Sequence, residues 1–378
     1  MPTHAYLDWN ATGKLRPQAR QAMLAALEVT GNPSSVHAAG RAARRLVEEA
    51  RERVAALVGA RPQGVVFTAG GTEANALALS PQLGDVLLVS ALEHPSVLAG
   101  GRFAAVEPVP ATPGGVIDLA ALERRLAATR RPLVSLMLAN NETGVIQPVA
   151  EAAALVHAAG GLLHVDAVQG PGRIACDIKA LGADLMTLSA HKLGGPQGVG
   201  ALVRRDEIPL DALLRGGGQE RGARAGTENV AGIAGFGAAA EAVAEGLAVE
   251  AAHMAALRER LEAGLRAIRP DITIFGRDGP RLPNTTLFSA PGLKAETAVI
   301  AFDLEGVAVS SGAACSSGKV APSHVLAAMA VPLELARGAI RASLGYASGD
   351  DEIEAFLKTW AKLAEGLYRL RHRSEIAA

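Results

Sequence analysis

The sequence predicts an α/β fold with a mainly parallel sheet, joined to a smaller α+β domain. Three observations carry that reading. The first two-thirds alternate short apolar runs with helical patterns, the order that a parallel sheet with crossover helices requires. A helical stretch from about Phe236 to Arg269, alanine-rich and charged on one face, then leads out of this part. The last third has shorter strands and closes on an amphipathic helix. At 378 residues, with 49% apolar and 20% charged residues, the chain is long enough for two folded domains.

Taken in order, the candidate strands of the first part are Val65–Thr68, Asp85–Ser90, Leu133–Leu138, Leu162–Ala167, Leu185–Ser189 and Ala201–Val203. Each is a short apolar run bounded by turn residues, as buried strands read. The helix expected over Gly40–Val58 places Ala43, Leu46, Val47, Ala50 and Val54 at three-and-four spacing. In the last third, Ile272–Phe275, Thr285–Phe288, Val307–Ser310 and Ile340–Leu344 read as strands. Asp350–Arg371 reads as a helix with the stripe Ile353, Phe356, Leu357, Trp360, Leu363 and Leu367. Its aspartates come first and its arginines last, which suits the helix dipole.

Composition excludes several classes of function. A net charge of −1 gives no broad cationic surface for nucleic acid. No uncharged apolar run approaches eighteen residues, so no membrane span is expected. The opening MPTHAYLDWN lacks a secretory pattern, and two cysteines are too few for a disulfide scaffold or zinc finger. A soluble cytoplasmic protein without a bound metal is the expectation.

Four segments offer chemistry, each against a plainer reading. In Phe67-Thr-Ala-Gly-Gly-Thr-Glu-Ala-Asn75 a strand runs into Gly71 and Thr72, where free N–H groups make a phosphate cradle. The plainer reading is a strand-to-helix turn capped by Thr72. Asp166, in Leu163-His-Val-Asp-Ala-Val-Gln169, sits at the carboxyl end of a buried strand, where α/β folds bind ligands. Otherwise it caps the next helix. Lys192, in Ser189-Ala-His-Lys192 before a glycine-rich turn, is placed for a Schiff base, or is a surface lysine. Together, a phosphate cradle, a strand-end carboxylate and a strand-end lysine are what pyridoxal phosphate requires. The fourth segment is Ser310-Ser-Gly-Ala-Ala-Cys-Ser-Ser-Gly318, whose Cys315 is set among small residues and has little packing role. Cys176, in Gly172-Arg-Ile-Ala-Cys-Asp177, has no such loop and reads as a filler.

With these residues the chain resembles the cysteine desulfurases of the NifS/IscS type, class V aminotransferases among the fold-type-I pyridoxal-phosphate enzymes. The likeness runs from Tyr6-Leu-Asp8 to Leu344-Gly345. It takes in Gly31-Asn-Pro-Ser-Ser-Val-His37, Glu93-His94, Asn140-Asn-Glu-Thr-Gly144, Gly216-Gly-Gly-Gln-Glu-Arg-Gly222 and Ala321-Pro-Ser-His324. It implies a mainly parallel seven-stranded sheet in a large cofactor-binding domain, residues 15–250. Residues 1–14 and 251–378 would form the small domain with the cysteine loop.

The resemblance also assigns roles. Lys192 would hold the cofactor's aldehyde, Asp166 would pair with the pyridine nitrogen and Gln169 with the ring hydroxyl. His94 would stack on the ring and accept protons. Gly71, Thr72, Ser189 and His191 would hold the phosphate, with Thr227 reaching it from the second subunit of a homodimer. Asn141, also beside the cofactor, and Arg341 would position the carboxylate of L-cysteine, and Cys315 would take the sulfur as a persulfide. A sulfur-acceptor protein, such as an iron–sulfur scaffold or a thiolation enzyme, is the implied partner. The rivals are a selenocysteine lyase or another class V enzyme, and a non-catalytic scaffold of the same fold. An aminotransferase has no use for Cys315, and a scaffold has no reason to keep Lys192, Asp166, His94 and Cys315 together. Three departures stand out: Trp9-Asn-Ala-Thr-Gly13, expected to reshape the substrate entrance; Ala225 in Arg224-Ala-Gly-Thr227; and a C-terminal tail unlike that of housekeeping members.

Overall fold

The computed structural model describes residues 5–205, 207–312 and 323–376, with side chains described as far as residue 366. Seven strands form the main sheet: β1 Val65–Thr68, β2 Val86–Ser90, β3 Val106–Val109, β4 Pro132–Met137, β5 Leu162–Asp166, β6 Leu185–Ser189 and β7 Gly200–Arg204. Their order is β1-β7-β6-β5-β4-β2-β3, with β7 antiparallel to both neighbours and the remaining pairs parallel. Strands β4 and β6 are buried along their whole length, so their sequences are apolar runs without alternation. Six of the seven strands match the expected runs within a residue or so. The seventh, β3, is the edge strand Val-Glu-Pro-Val. Its Pro108 and half-exposed Glu107 hide it from a hydrophobic-pattern reading, and proline is tolerated in a strand chiefly at an edge.

Helices cover the sheet. The helix Ala38–Leu57 buries Ala43, Val47, Ala50 and Val54, as its spacing predicts, while Leu46 stays partly exposed. The helix Val230–Ile268 begins six residues earlier than expected, capped by the Asn229 side chain. Its amino-terminal half is no mere exit path: Ile233, Phe236, Ala239, Ala240 and Val243 belong to the core of the main sheet. Met254, Leu257, Leu261 and Leu265 further along belong to a second core. A window of this helix has the length and hydropathy of a membrane span, but 61% of that window is buried inside the protein. Tertiary burial, not absence of an apolar helix, is what speaks against a span there.

The second core lies under a four-stranded antiparallel sheet in the order Ser310–Ser311, Ile340–Ser343, Thr285–Ser289, Thr273–Ile274. The final helix, Asp350–Ile376, buries Ile353, Phe356 and Trp360 against it. Phe302 stacks on Phe356 at 4.9 Å, and Phe288 meets Trp360 edge-on at 5.2 Å, offset geometries that add to area burial. Leu367 of the expected stripe lies outside the described side chains. The expected strand Val307–Ser310 is split in two: Val307–Ala308 pairs in parallel with Ala5–Tyr6, and Ser310–Ser311 joins the antiparallel sheet. The start of the chain is thereby tied to its last third.

Candidate active site

The carboxyl ends of β1, β2, β4, β5 and β6 open on one edge of the sheet, where α/β folds gather their ligands. A cavity of about 360 Å³ lies there. Gly71, Thr72, His94, Asn141, Asp166, Gln169, Ser189, His191, Lys192 and Arg341 all line it. These are all the site residues named from the sequence except two. Thr227 opens on a separate cavity of about 190 Å³, beside Thr68, Ala69 and Arg224. Cys315 lies outside the described residues, although Gly312, three positions before it, lines the main cavity.

Each wall of the cavity follows from local structure. After β1 the chain turns at Gly70 into the helix Gly71–Ala78, whose N-cap has no side chain. Thr72 is the second helical residue, so the plainer reading of it as the cap fails, and it lines the cavity. The turn is pressed against β7: a Cβ on Gly200 would lie 2.6 Å from the Gly70 carbonyl carbon. Glu73 closes the turn from behind, accepting from the Ala69 N–H at 2.8 Å and from Arg224 Nε at 3.0 Å.

Asp166 ends β5. Its Oδ1 accepts from the Val168 N–H at 3.0 Å and its Oδ2 from Asn75 Nδ2 at 2.8 Å. Gln169 gives its amide nitrogen to the Asn10 carbonyl at 3.0 Å, and its Oε1 is buried without a partner among the described residues. Lys192 follows β6 in a short 3-10 turn. Its Nζ donates to the carbonyls of Asn10 at 2.6 Å and Ala11 at 2.8 Å. Burial, reinforced by the Arg341 and Arg173 guanidinium groups, lowers its pKa to about 7. Arg173 is fully buried, with backbone carbonyls of Gln169 and Trp9 as its acceptors. His191 is held by Thr12 Oγ1 at 3.1 Å, and burial with the neighbouring Lys192 and Arg173 brings its pKa to about 4. It is a neutral ring at pH 7.

His94 caps the short helix Pro95–Leu98 through Nδ1 and also lines the cavity. It is thus both a helix cap and part of the cavity wall. Its pKa is lowered, chiefly by burial. Arg341, on the strand Ile340–Ser343, is buried, so a surface ion pair is excluded. It donates to Asp8 Oδ1 at 2.6 Å and to the Asn141 carbonyl at 3.1 Å, and its Nε is buried without a partner among the described residues.

Several residues at the site escaped the sequence reading. Asn10 is fully buried and ties Asn141, Thr285 and Asn284 together by side-chain hydrogen bonds. Glu142, on the cavity wall, accepts from Ser323 Oγ at 2.5 Å, and burial raises its pKa to about 7. Asn75, Ser96 and Asp8 have no chemistry-bearing pattern of their own, and only proximity in space marks them. Of the segment 9–13, Asn10 and Ala11 line the cavity, whereas Trp9 packs against Gly345 and Tyr346. A Cβ on Gly345 would come within 1.9 Å of its ring, and Tyr346 meets it edge-on at 5.3 Å. Cys176 is buried, and desolvation pushes its thiol up to about 12, as an inert filler requires.

A doubly wound sheet with its strand-end lysine, aspartate and glycine cradle on one cavity defines a class of enzyme scaffold. The aminotransferase class-V family matches residues 5–356, and the chain belongs to that family. A cysteine desulfurase of Cereibacter sphaeroides is 44% identical over 381 residues, covering 97% of each chain. An IscS-like cysteine desulfurase of Mycobacterium tuberculosis is 39% identical, covering 94% of each. Among solved structures, a NifS-like protein from Rickettsia africae superposes with a TM-score of 0.89 at 36% identity, over 97% of this chain and 99% of that one. The family resemblance and the fold read from the motifs are both borne out.

Proposed function

We propose that this chain is a pyridoxal-phosphate-dependent cysteine desulfurase, converting L-cysteine to L-alanine and carrying the sulfur on Cys315. The observation that carries the reading is the convergence of Lys192, Asp166, His94 and Arg341 on the cavity that Gly312 also lines. The residues present fit the cofactor. The helix start at Gly71 and Thr72, with Ser189 and His191, suits a phosphate. Asp166 suits a protonated ring nitrogen, and the unpartnered Oε1 of Gln169 suits a ring hydroxyl. When bound, pyridoxal phosphate supplies an aldehyde and an electron-withdrawing ring that weakens bonds at the amino acid's α-carbon.

The protein's own groups do the rest. Lys192, with its pKa near 7, offers a neutral amine at physiological pH where an ordinary lysine is almost wholly charged. Arg341 lines the cavity beside Asn141 and would take the substrate carboxylate there. Cys315 follows three residues after Gly312, which lines the cavity. As the Cys315 thiolate attacks the substrate sulfur, the S–S bond forms and the Cβ–S bond breaks. The released electron pair stays on carbon, which gains a proton to become the methyl group of alanine.

The same reading takes residues 15–250 as the large domain and 1–14 with 251–378 as the small one, supported by two hydrophobic clusters, one drawn from residues 19–243 and one from residues 5, 7 and 254–364. It takes the enzyme as a cytoplasmic homodimer. The position of Thr227, outside its own chain's cavity, supports its delivery to a second copy. An acceptor protein, an iron–sulfur scaffold or a thiolation enzyme, would receive the persulfide.

The test is to supply L-cysteine and a reductant to the purified, cofactor-loaded protein and measure alanine and sulfide. Equal amounts of both are expected; bound cofactor with no sulfide would overturn the assignment. A second expected result concerns pH. Capture of added pyridoxal phosphate by cofactor-free protein should quicken about tenfold from pH 6 to pH 8 and then level off, as a neutral-amine fraction with a pKa near 7 does. Stopped-flow absorption reads this directly. A rate still climbing steeply above pH 9 would mean that Lys192 behaves as an ordinary lysine.

A further inference from the structure

Asn75 lies on the helix Gly71–Ala78 and is 1% exposed. Its side-chain nitrogen donates twice, to Asp166 Oδ2 at 2.8 Å and to Ser96 Oγ at 2.9 Å, while its Oδ1 has no partner among the described residues. The orientation of this amide is forced. A carboxylate only accepts, so the nitrogen must face Asp166, and the same nitrogen then reaches Ser96. With its oxygen accepting from Asn75, the Ser96 hydroxyl has its hydrogen left for His94 Nδ1, 2.8 Å away. The Ser96 backbone N–H, which has no choice but to donate, also points at that Nδ1, at 3.2 Å.

We propose that Asn75 and Ser96 are positioning residues that fix the tautomer of His94. Nδ1 is an acceptor and the ring proton sits on Nε2. Asn75 donates both ways, to the acceptor-only Asp166 and to the Ser96 hydroxyl, and from Ser96 the donation runs on to the imidazole. A neutral ring held this way presents a hydrogen-bond donor to whatever occupies the cavity. This runs against the expectation that His94 accepts protons: its Nε2 is already protonated and its Nδ1 is covered by two donors. The inference rests on the reading of this cavity as the active site, but the tautomer itself does not depend on the reaction.

The experiment is 15N spectroscopy of the cofactor-loaded protein with ring-labelled histidine at pH 8, using His94→Gln to assign the signals. The expected result is an unprotonated Nδ1 and a protonated Nε2. Ser96→Ala removes one of the two donors and should shift the tautomer ratio about fivefold toward the Nδ1-protonated form, the equivalent of one neutral hydrogen bond. Ser96→Thr keeps the hydroxyl and should restore the original ratio. A protonated Nδ1 in the unsubstituted protein overturns the proposal, as does a ratio unmoved by Ser96→Ala. Sulfide assays on the same samples separate the two claims. Sulfide formed with a protonated Nδ1 rejects this inference alone. An unprotonated Nδ1 without sulfide rejects the desulfurase assignment and leaves the tautomer standing.

Discussion

Lys192→Ala is expected to abolish turnover, by at least about a thousandfold, and to remove the visible absorption of the lysine-bound cofactor. Phosphate and ring contacts would still hold pyridoxal phosphate in the cavity, but without the amine its aldehyde stays free. The loss should not come from misfolding. The Asn10 carbonyl keeps a second donor in Gln169 Nε2, so the backbone segment beneath Lys192 stays anchored. The sign of the charge effect also favours the variant. The folded-state pKa of Lys192, about 7, lies below that of an unfolded lysine. The folded form therefore binds fewer protons, and the resulting destabilisation grows as pH falls from about 10.4 to 7, then stays constant below. Removing the amine relieves it. With both proteins cofactor-free, the thermal midpoint of Lys192→Ala at pH 7 should equal or exceed that of the parent, and a marked drop together with lost activity would point to a structural lysine instead.

Cys315→Ala is expected to stop sulfur transfer while leaving the cofactor bound. Sulfide release from L-cysteine should fall by about a hundredfold or more, since no other thiolate is placed to take the sulfur. Cys176 is no substitute, because a buried thiol with a pKa near 12 has almost no thiolate at neutral pH. The absorption of the bound cofactor should be unchanged, for Lys192, Asp166 and the phosphate cradle lie on elements independent of Cys315. Full sulfide release by Cys315→Ala would remove the cysteine from the mechanism and favour direct elimination at the cofactor. Labelling with a thiol-reactive probe before and after substrate addition would report the persulfide itself.

Lys192, Asp166 and the Gly71–Thr72 cradle were legible because each is tied to a local pattern. A buried apolar strand ending in a polar residue, or in paired glycines before a helix, is visible within ten residues of sequence. The same holds for six of the seven strands, whose apolar runs follow from burial on both faces. The edge strand Val106–Val109 was not legible, because partial exposure leaves room for Glu107 and Pro108. The start of the long helix Val230–Ile268 was missed for the opposite reason. Its first turns are glycine and alanine, chosen for close packing rather than for helix propensity or a stripe.

The sequence by itself determined the α/β alternation, the strand-end chemistry and, through its motifs, the family. Those depend on periodicities of two and 3.6 residues and on short spacings, which a chain carries before it folds. Only the tertiary structure decided what stands beside each functional group. It set Arg341 against Asp8, 333 positions away, and Asn10 beneath Lys192, 182 positions away. It buried Arg173 near the lysine, so that desolvation and like charge lower a pKa that no sequence pattern encodes. It also strung Asp166, Asn75, Ser96 and His94 into one hydrogen-bonded chain. Desolvation and hydrogen-bond direction are properties of neighbours in space, and they come into being only when the sheet brings its strand ends together.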